Sequence, residues 1–507
     1  MKVLTLFLTS ALIALPTGSS NAQAPAQSME QSEAAYQSGN FSQARTILVP
    51  LAQAGDALAQ FRLGQMMATG TGGPVNLAEA MTLLEASFAQ GRPEAGRLLA
   101  DLGFQAATSE DDYQRVFAIL TALGPELGSN GHLLLGKIYL DGLTGQGNAA
   151  AAFAHFSAAA SDGDPEALTV LASFYETGYA VPANINAAIS VLERAGNAGH
   201  DPAWLKLAQM LSKDDAPYFD KVRAVEIYEQ LANDDSIVAK RELGQFLVRD
   251  LTNKEDVARA IDWFNKAAEG GDPISLYNLG IAHLNGIGGE VDEEKAFQRL
   301  LAAGQRGHMA SKVTLASMYQ AGRGTERDVN EAIRWFLPAA QAGNADATRR
   351  LGEIALTARA EGMELEFAEA AIYVRGLFDQ GVSDALSWLE VNAEAGDHEA
   401  LLQLADIKLN SDQHETEFAT GITMLQQAAE AGSTLAQSRL AARLSSGDGV
   451  EQSYVEAYRW ANIAGASGNA DAVQLRDTII KLMTPVQIAK AQRLSRDYLL
   501  NAGAKTQ

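Results

Sequence analysis

Three glycines, Gly286, Gly288 and Gly289, close the stretch EGGDPISLYNLGIAHLNGIGG at residues 269–289. A cluster of this kind can wrap backbone N–H groups around a phosphate, and that is the first chemistry its spacing suggests. A dinucleotide fingerprint, however, leaves a strand, opens a helix and carries a third glycine three residues on. Here the cluster follows a helical pattern, and Val291 stands where that glycine belongs.

The other chemistry-bearing residues are scattered. Seven histidines (His132, His155, His200, His283, His308, His398 and His414) include no H-E-x-x-H pair, and His398-Glu399 has Leu402 in place of the second histidine. His200 and His308 follow a glycine at junctions where other stretches carry Asp56, Asp164, Asp272 and Asn344, so a turn or cap role is expected for both. The acid pairs Asp111-Asp112, Asp214-Asp215 and Asp234-Asp235 fall in expected turns, whereas glycosidase carboxylates face one another across a sugar. There is no G-x-S-x-G elbow and no cysteine, which excludes disulfides, thiolate metal sites and a thiol nucleophile. These residues point to no catalytic group, no metal and no cofactor.

The elements that carry them repeat. Counting in steps of 36 from Leu63 gives Leu99, Leu135, Leu171, Leu207, Leu243, Leu279, Leu315 and Leu351, each followed by glycine or alanine. A second column runs Ala44, Ala80, Val116, Ala152, Ala188, Ala224, Ala260, Ala296, Ala332 and Ala368. Each period divides into two amphipathic helices separated by glycine-rich turns. Asp272-Pro273 starts the first helix with a capping carboxylate and a residue that needs no N–H partner; Asp164-Pro165 and Asp201-Pro202 repeat the arrangement. The small columns mark where paired helices approach closely. The expectation is an all-α solenoid of about twelve helix pairs.

Through AGNADATRRLGEIAL, GDPISLYNLGIAHLNGIG, ASKVTLASMYQAGRGTERDVNEAIRWFLPAAQAGN and GDGVEQSYVEAYRWANIAGASGNADA, the chain resembles the Sel1-like repeats, relatives of the tetratricopeptide pair. The resemblance covers nearly all of residues 30–480 and implies a protein-interaction platform with no catalytic activity of its own. It further suggests two extracytoplasmic roles. One is the scaffold of exopolysaccharide secretion, as in alginate-export lipoproteins, although this chain lacks the lipidated cysteine; the other is a periplasmic regulator that restrains a sensor kinase.

The period breaks once. From Leu351 the next matching leucine is Leu404, a gap of 53 residues that exceeds one repeat by a single helix, VSDALSWLEVNAEAG at 382–396. Such an addition should change which helix of the pair lines the concave face, or at least kink the superhelix. Trp263, Trp335 and Trp460 each lie twenty residues after a column leucine and are expected to pack, while Trp388 sits in the added helix, outside the repeat register. Tyr373, Phe378 and Trp388 are therefore the candidate partner-binding residues, since interface anchors are enriched in such aromatics.

The sequence divides into an N-terminal helix pair at 25–54, repeats at 55–380, the added helix at 381–396, further repeats at 397–480 and a capping helix with tail at 481–507. Residues 1–24 have the form of a secretory signal: Lys2, an apolar run from Val3 to Leu15, then small residues at Ala22, Ala24 and Ala26 as alternative cleavage points. A periplasmic or secreted protein without direct membrane insertion is expected. The net charge of -23 disfavours nucleic acid as a partner and leaves proteins as the expected one.

Overall fold

Asp56, Asp164 and Asp272 each accept a hydrogen bond from the backbone N–H three residues on, at 2.8, 2.8 and 2.7 Å. Each thereby satisfies one of the N–H groups that a helix start leaves orphaned. These caps set the beat of the chain in the computed structural model, which describes residues 23–360, 369–410 and 415–505. The expected signal segment up to residue 22, Ala368 and His414 lie outside the described residues.

Every regular element described is helical, and the helices fall into two compact units, Met1–Ala239 and Lys240–Gln507. The first carries α1 (Gln23–Gln37), α2 (Phe41–Gln53), α3 (Ala57–Thr69), α4 (Leu77–Ala89), α5 (Pro93–Ala106), α6 (Glu110–Leu123), α7 (Gly128–Asp141), α8 (Ala149–Ser161), α9 (Pro165–Thr177), α10 (Ile185–Asn197), α11 (Asp201–Leu211) and α12 (Lys221–Asn233). The second runs from α13 (Ile237–Leu247) through α14 (Lys254–Glu269), α15 (Pro273–Asn285), α16 (Glu293–Gln305), α17 (Met309–Ala321), α18 (Val329–Gln341), α19 (Ala345–Ala360) and α20 (Ala370–Asp379). It continues with α21 (Ser383–Glu394), α22 (His398–Leu409), α23 (Glu415–Glu430), α24 (Thr434–Ser446), α25 (Tyr454–Ala466), α26 (Ala470–Ile479) and α27 (Pro485–Lys505). Among the described residues, twenty-seven α-helices make thirteen pairs with one left over, an α-solenoid arrangement of stacked hairpins. One expected cap differs: Asp201 is the first residue of α11, and His200 precedes it without a side-chain capping bond.

The two columns are the core. All the repeat leucines from Leu63 to Leu351 are buried, as are Ala80, Ala152, Ala188, Ala224, Ala260, Ala296 and Ala332. After Leu63, Leu135, Leu243 and Leu279 the next residue is glycine, and a large side chain from the second helix, twenty residues further on, lies against it; at Gly352 the neighbour is instead Leu377. A Cβ built on Gly136 would stand 2.7 Å from the Phe156 ring, one on Gly244 2.6 Å from Phe264, and one on Gly280 2.6 Å from Leu300. Phe156, Phe264 and Leu300 are themselves fully buried and have nowhere to retreat.

The added segment forms α21, and it changes the stacking. In the first unit the helices that touch their next-but-one neighbours are odd-numbered: α3 with α5, α5 with α7, α9 with α11. In the second unit α19 touches α21, then α20 touches α22 and α24 touches α26, while at the end of the chain α25 lies against the terminal α27. The shared element is α20, which serves as second helix to α19 and as first helix to α21. In keeping with this, Ala385 and Trp388 lie two periods of 36 before Ala457 and Trp460. Trp388 therefore stands in the register of the later repeats, contrary to the expectation that it lies outside any register.

Gly136→Val should destabilise the first unit by about 1–3 kcal/mol through overpacking against Phe156. Urea denaturation followed by far-UV circular dichroism measures it; an unchanged midpoint would mean that the small column is not a contact constraint.

Candidate partner-binding surface

α19, α20 and α21 bring the three singled-out aromatics to one place and turn them mostly inward. Tyr373 on α20 is 7% exposed and Trp388 on α21 is 8% exposed, both within a cluster that includes Leu351, Ile354, Leu377 and Leu389. The Trp388 indole N–H donates to the Ala355 carbonyl at 3.2 Å, so its polar edge is already satisfied inside the stack. Burial pushes the Tyr373 phenol above its ordinary value, with Glu369 adding to the effect. Phe378 is half-buried against the same cluster, with the Arg375 guanidinium 5.7 Å from its ring centroid. Side chains available to a partner on this segment are instead Ile372, Val382 and Val391, with Asp384, Glu390 and Glu394 around them. Tyr373 and Trp388 hold that surface in place from behind.

The glycine cluster is a helix terminus and turn. Gly286 caps α15 in the left-handed conformation at φ 65°, and its N–H donates to the Ala282 carbonyl. Gly288, at φ 77°, lies against Ile261 and Val257 of α14. In other repeats the equivalent glycine meets backbone: a Cβ on Gly324 would stand 2.1 Å from the Glu293 carbonyl oxygen, and one on Gly72 2.4 Å from that of Phe41. The turn thus presses on the preceding repeat. Beside it lies an open groove of about 610 Å³ lined by Leu251, Lys254, Val257, Ala258 and residues 286–289. Lys254 is its sole charged lining residue.

His132 and His155, 23 residues apart and part of no sequence motif, form a pair between α7 and α8. Their Nδ1 atoms are 3.0 Å apart, within hydrogen-bonding distance, with ring centroids at 5.2 Å. In the neutral pair one ring donates and the other accepts. Tyr139 stacks on the outer face of His155, with ring centroids at 5.6 Å. The missed signal was positional: His155 lies twenty residues after Leu135, where Trp263, Trp335 and Trp460 stand in other repeats. Burial, and then the charge of His132, hold the His155 imidazole below its ordinary 6.5.

Glu176 near the end of α9 is the centre of a second polar cluster. Burial pushes its carboxyl up, but hydrogen bonding to Lys213 and the charges of Lys206 and Lys213 outweigh that and leave it lowered. Lys206 stands 3.6 Å away, and the Tyr218 hydroxyl donates at 3.4 Å. A carboxylate held ionised by two ammonium groups is a clamp on the 212–220 connection; it has no proton to give as an acid.

The acid pairs divide. Asp214-Asp215 and Asp234-Asp235 lie in turns, as expected, whereas Asp111-Asp112 belongs to the first turn of α6. There Ser109 and Asp112 form a reciprocal capping box, and the serine hydroxyl bond holds the Asp112 carboxyl below its ordinary value. His308 caps α17, its Nδ1 accepting from the Ser311 N–H at 3.3 Å. Among the described residues no three His, Asp or Glu side chains are placed to hold one metal ion, and no helix is long and apolar enough to cross a membrane.

The Sel1 repeat family matches at residues 57–91, 129–164, 165–200, 240–272, 273–308, 315–344 and 434–469. The chain is a Sel1 repeat protein. Among solved structures it is similar to a protective antigen of uropathogenic Escherichia coli displaying an SLR fold, at 22% identity and TM-score 0.48, over 90% of this chain and 94% of that one. A Sel1 repeat protein from Oxalobacter formigenes matches at 25% identity and TM-score 0.40, over 50% of this chain and all of the other. Yeast Tom70 matches at 13% identity and TM-score 0.23, over 96% and 99% of the two chains. No curated protein matches the chain. Sel1 repeat proteins of this kind mediate protein–protein interaction and are generally non-catalytic.

Two outcomes test these assignments. Gly324→Ala should destabilise the Sel1 stack by about 1–3 kcal/mol, because φ 65° and the Glu293 carbonyl both exclude a Cβ. Gly289→Ala, which meets nothing within 4 Å, should stay within about 0.5 kcal/mol in the same urea titration. For the histidine pair, the unfolded chain protonates His155 near pH 6.5 while the folded chain resists. Its contribution to stability is therefore present above that pH and is lost as pH falls through the lower folded value. The thermal midpoint should drop between pH 7.5 and pH 5.5, and His155→Phe should shrink that drop. His283 and His308, likewise held low by burial, account for a remainder.

Proposed function

We propose that this Sel1 repeat protein is a non-catalytic scaffold of the bacterial cell envelope, acting outside the cytoplasm by presenting stacked hairpins to other proteins. The observation that carries this reading is what has become of the chemistry-bearing residues. The clustered glycines form turns, the junction aspartates cap helices, and Glu176 clamps a connection. What faces solvent on the period-breaking segment is a set of apolar and acidic side chains suited to contact. The extracytoplasmic placement rests on the signal-like residues 1–24.

By resemblance, the client is machinery for exopolysaccharide secretion or envelope assembly. Proximity crosslinking in intact cells, with identification of the attached proteins, is the test. Envelope assembly proteins as the dominant products, together with loss of polymer export or envelope integrity on deletion, are the expected result. A sensor kinase as the dominant product, with transcription switched on by deletion and export intact, would replace the scaffold with a regulator. Removing residues 1–24 should retain the protein in the cytoplasm on cell fractionation; unchanged export would defeat the placement.

A further inference from the structure

The C-terminal helix of the second unit was expected to close the stack as a polar cap. One side of α27 packs inward: Ala491 and Ser495 are buried, the Ser495 hydroxyl donates to the Arg459 carbonyl at 3.3 Å, and Tyr498 meets Trp460 edge-on. The opposite side is not the inert surface a cap requires. Val486 is 79% exposed and Leu500 67% exposed, and they flank Ala489, Arg493 and Arg496 at spacings of three and four residues. This is one continuous stripe along a helix. Lys490 lies beside it.

The charge of this element is opposite to that of the chain. Residues 481–507 hold five basic residues and one acidic one, within a protein of 39 basic and 62 acidic residues. The strongest imbalance of the other sign surrounds the period break, where residues 353–399 hold eleven acidic residues and two basic ones. There α21 presents Asp384, Ser387, Val391 and Glu394 to solvent at the same spacing of three and four residues, with Glu390 beside them. Among the described residues, Asp384, Glu390 and Glu394 have no ion-pair partner, and neither have Lys490, Arg493 and Arg496. Arg375, Arg443 and Arg459, in contrast, each pair with a nearby acid.

We propose that α27 of one copy docks along α21 of a second copy, and that the second copy returns the same contact, giving a two-fold dimer. The two stripes match in helical spacing; each carries two charges with a third beside it, of opposite sign between the two, and each exposes apolar surface, Val391 on α21 and Val486 and Leu500 on α27. Two-fold symmetry doubles a contact that would be small on its own, bringing it toward the size of a stable interface. The net negative charge of each copy opposes association only weakly, since exposed charges are screened beyond about 8 Å at physiological ionic strength. This dimer does not depend on the scaffold function or on the cellular location.

The test uses the full mature chain in sedimentation or light-scattering measurements at about 0.15 M salt, with circular dichroism to confirm folding. The wild type should be a dimer. Lys490→Glu/Arg493→Glu/Arg496→Glu should be monomeric, and so should Asp384→Lys/Glu390→Lys/Glu394→Lys. An equimolar mixture of the two variants should restore the dimer, because each then meets its complement twice. A monomeric wild type overturns the proposal, and binding of that monomer to vesicles rich in anionic phospholipid would assign the stripe to a lipid surface instead. A dimer that survives both reversals, or a mixture that stays monomeric, overturns the pairing of α27 with α21.

Discussion

The close approach of the two helices in each hairpin is the constraint on which the rest depends. It requires a glycine or alanine after the column leucine of the first helix and a large side chain twenty residues later on the second. Gly136 with Phe156, Gly244 with Phe264 and Gly280 with Leu300 are three instances of one contact. Hydrophobic burial alone would tolerate many spacings; this contact tolerates few, because a side chain on either partner occupies the other's place. With the spacing fixed, each hairpin offers the next the same surface, and stacking follows.

The polar residues then serve the geometry. Aspartates and asparagines at junctions satisfy orphaned N–H groups, left-handed glycines end first helices, and a further glycine lets the turn lie against the preceding repeat. Asp272 shows how these tasks converge: its carboxylate accepts from Ser275 N–H and pairs with Arg241 at 3.0 Å. Such side chains resemble the raw material of catalysis in a one-dimensional reading. In three dimensions their hydrogen-bonding capacity is directed at the backbone and at neighbouring repeats.

The fold was legible because the leucine and alanine columns are consequences of packing and therefore appear as a fixed period. The glycine cluster was legible for the same reason, by comparison with its counterparts one period away. The period did not mark the division between the two compact units, since the leucine column runs unbroken through Leu207, Leu243 and Leu279. The His132–His155 pair was hidden because pairing depends on which positions face one another across a hairpin. Trp388 was misread in register: counted from Leu351 it fits no column, while counted back from Trp460 it fits one. Its burial beside Tyr373 could not be read from residue type, because aromatic side chains serve cores and interfaces equally well. The exposed stripe of α27 needed the packed face to be known first.

The double role of α20 has a consequence for how such a chain can vary. On either side of it a repeat is a closed exchangeable unit: a whole period can be duplicated or lost and the neighbours still meet compatible faces. At α20 that symmetry fails, because the helix completes one hairpin and begins another. The shift is one of phase alone: the helices that meet along one row are first helices before α20, as in α3, α5 and α9, and first helices again after it, as in α22 and α24. A repeat from either stretch therefore presents a compatible face to the other, and the only element that cannot be exchanged for an ordinary second helix is α20 itself. A single added helix is thus absorbed at one position, and the repeats on its two sides stay interchangeable.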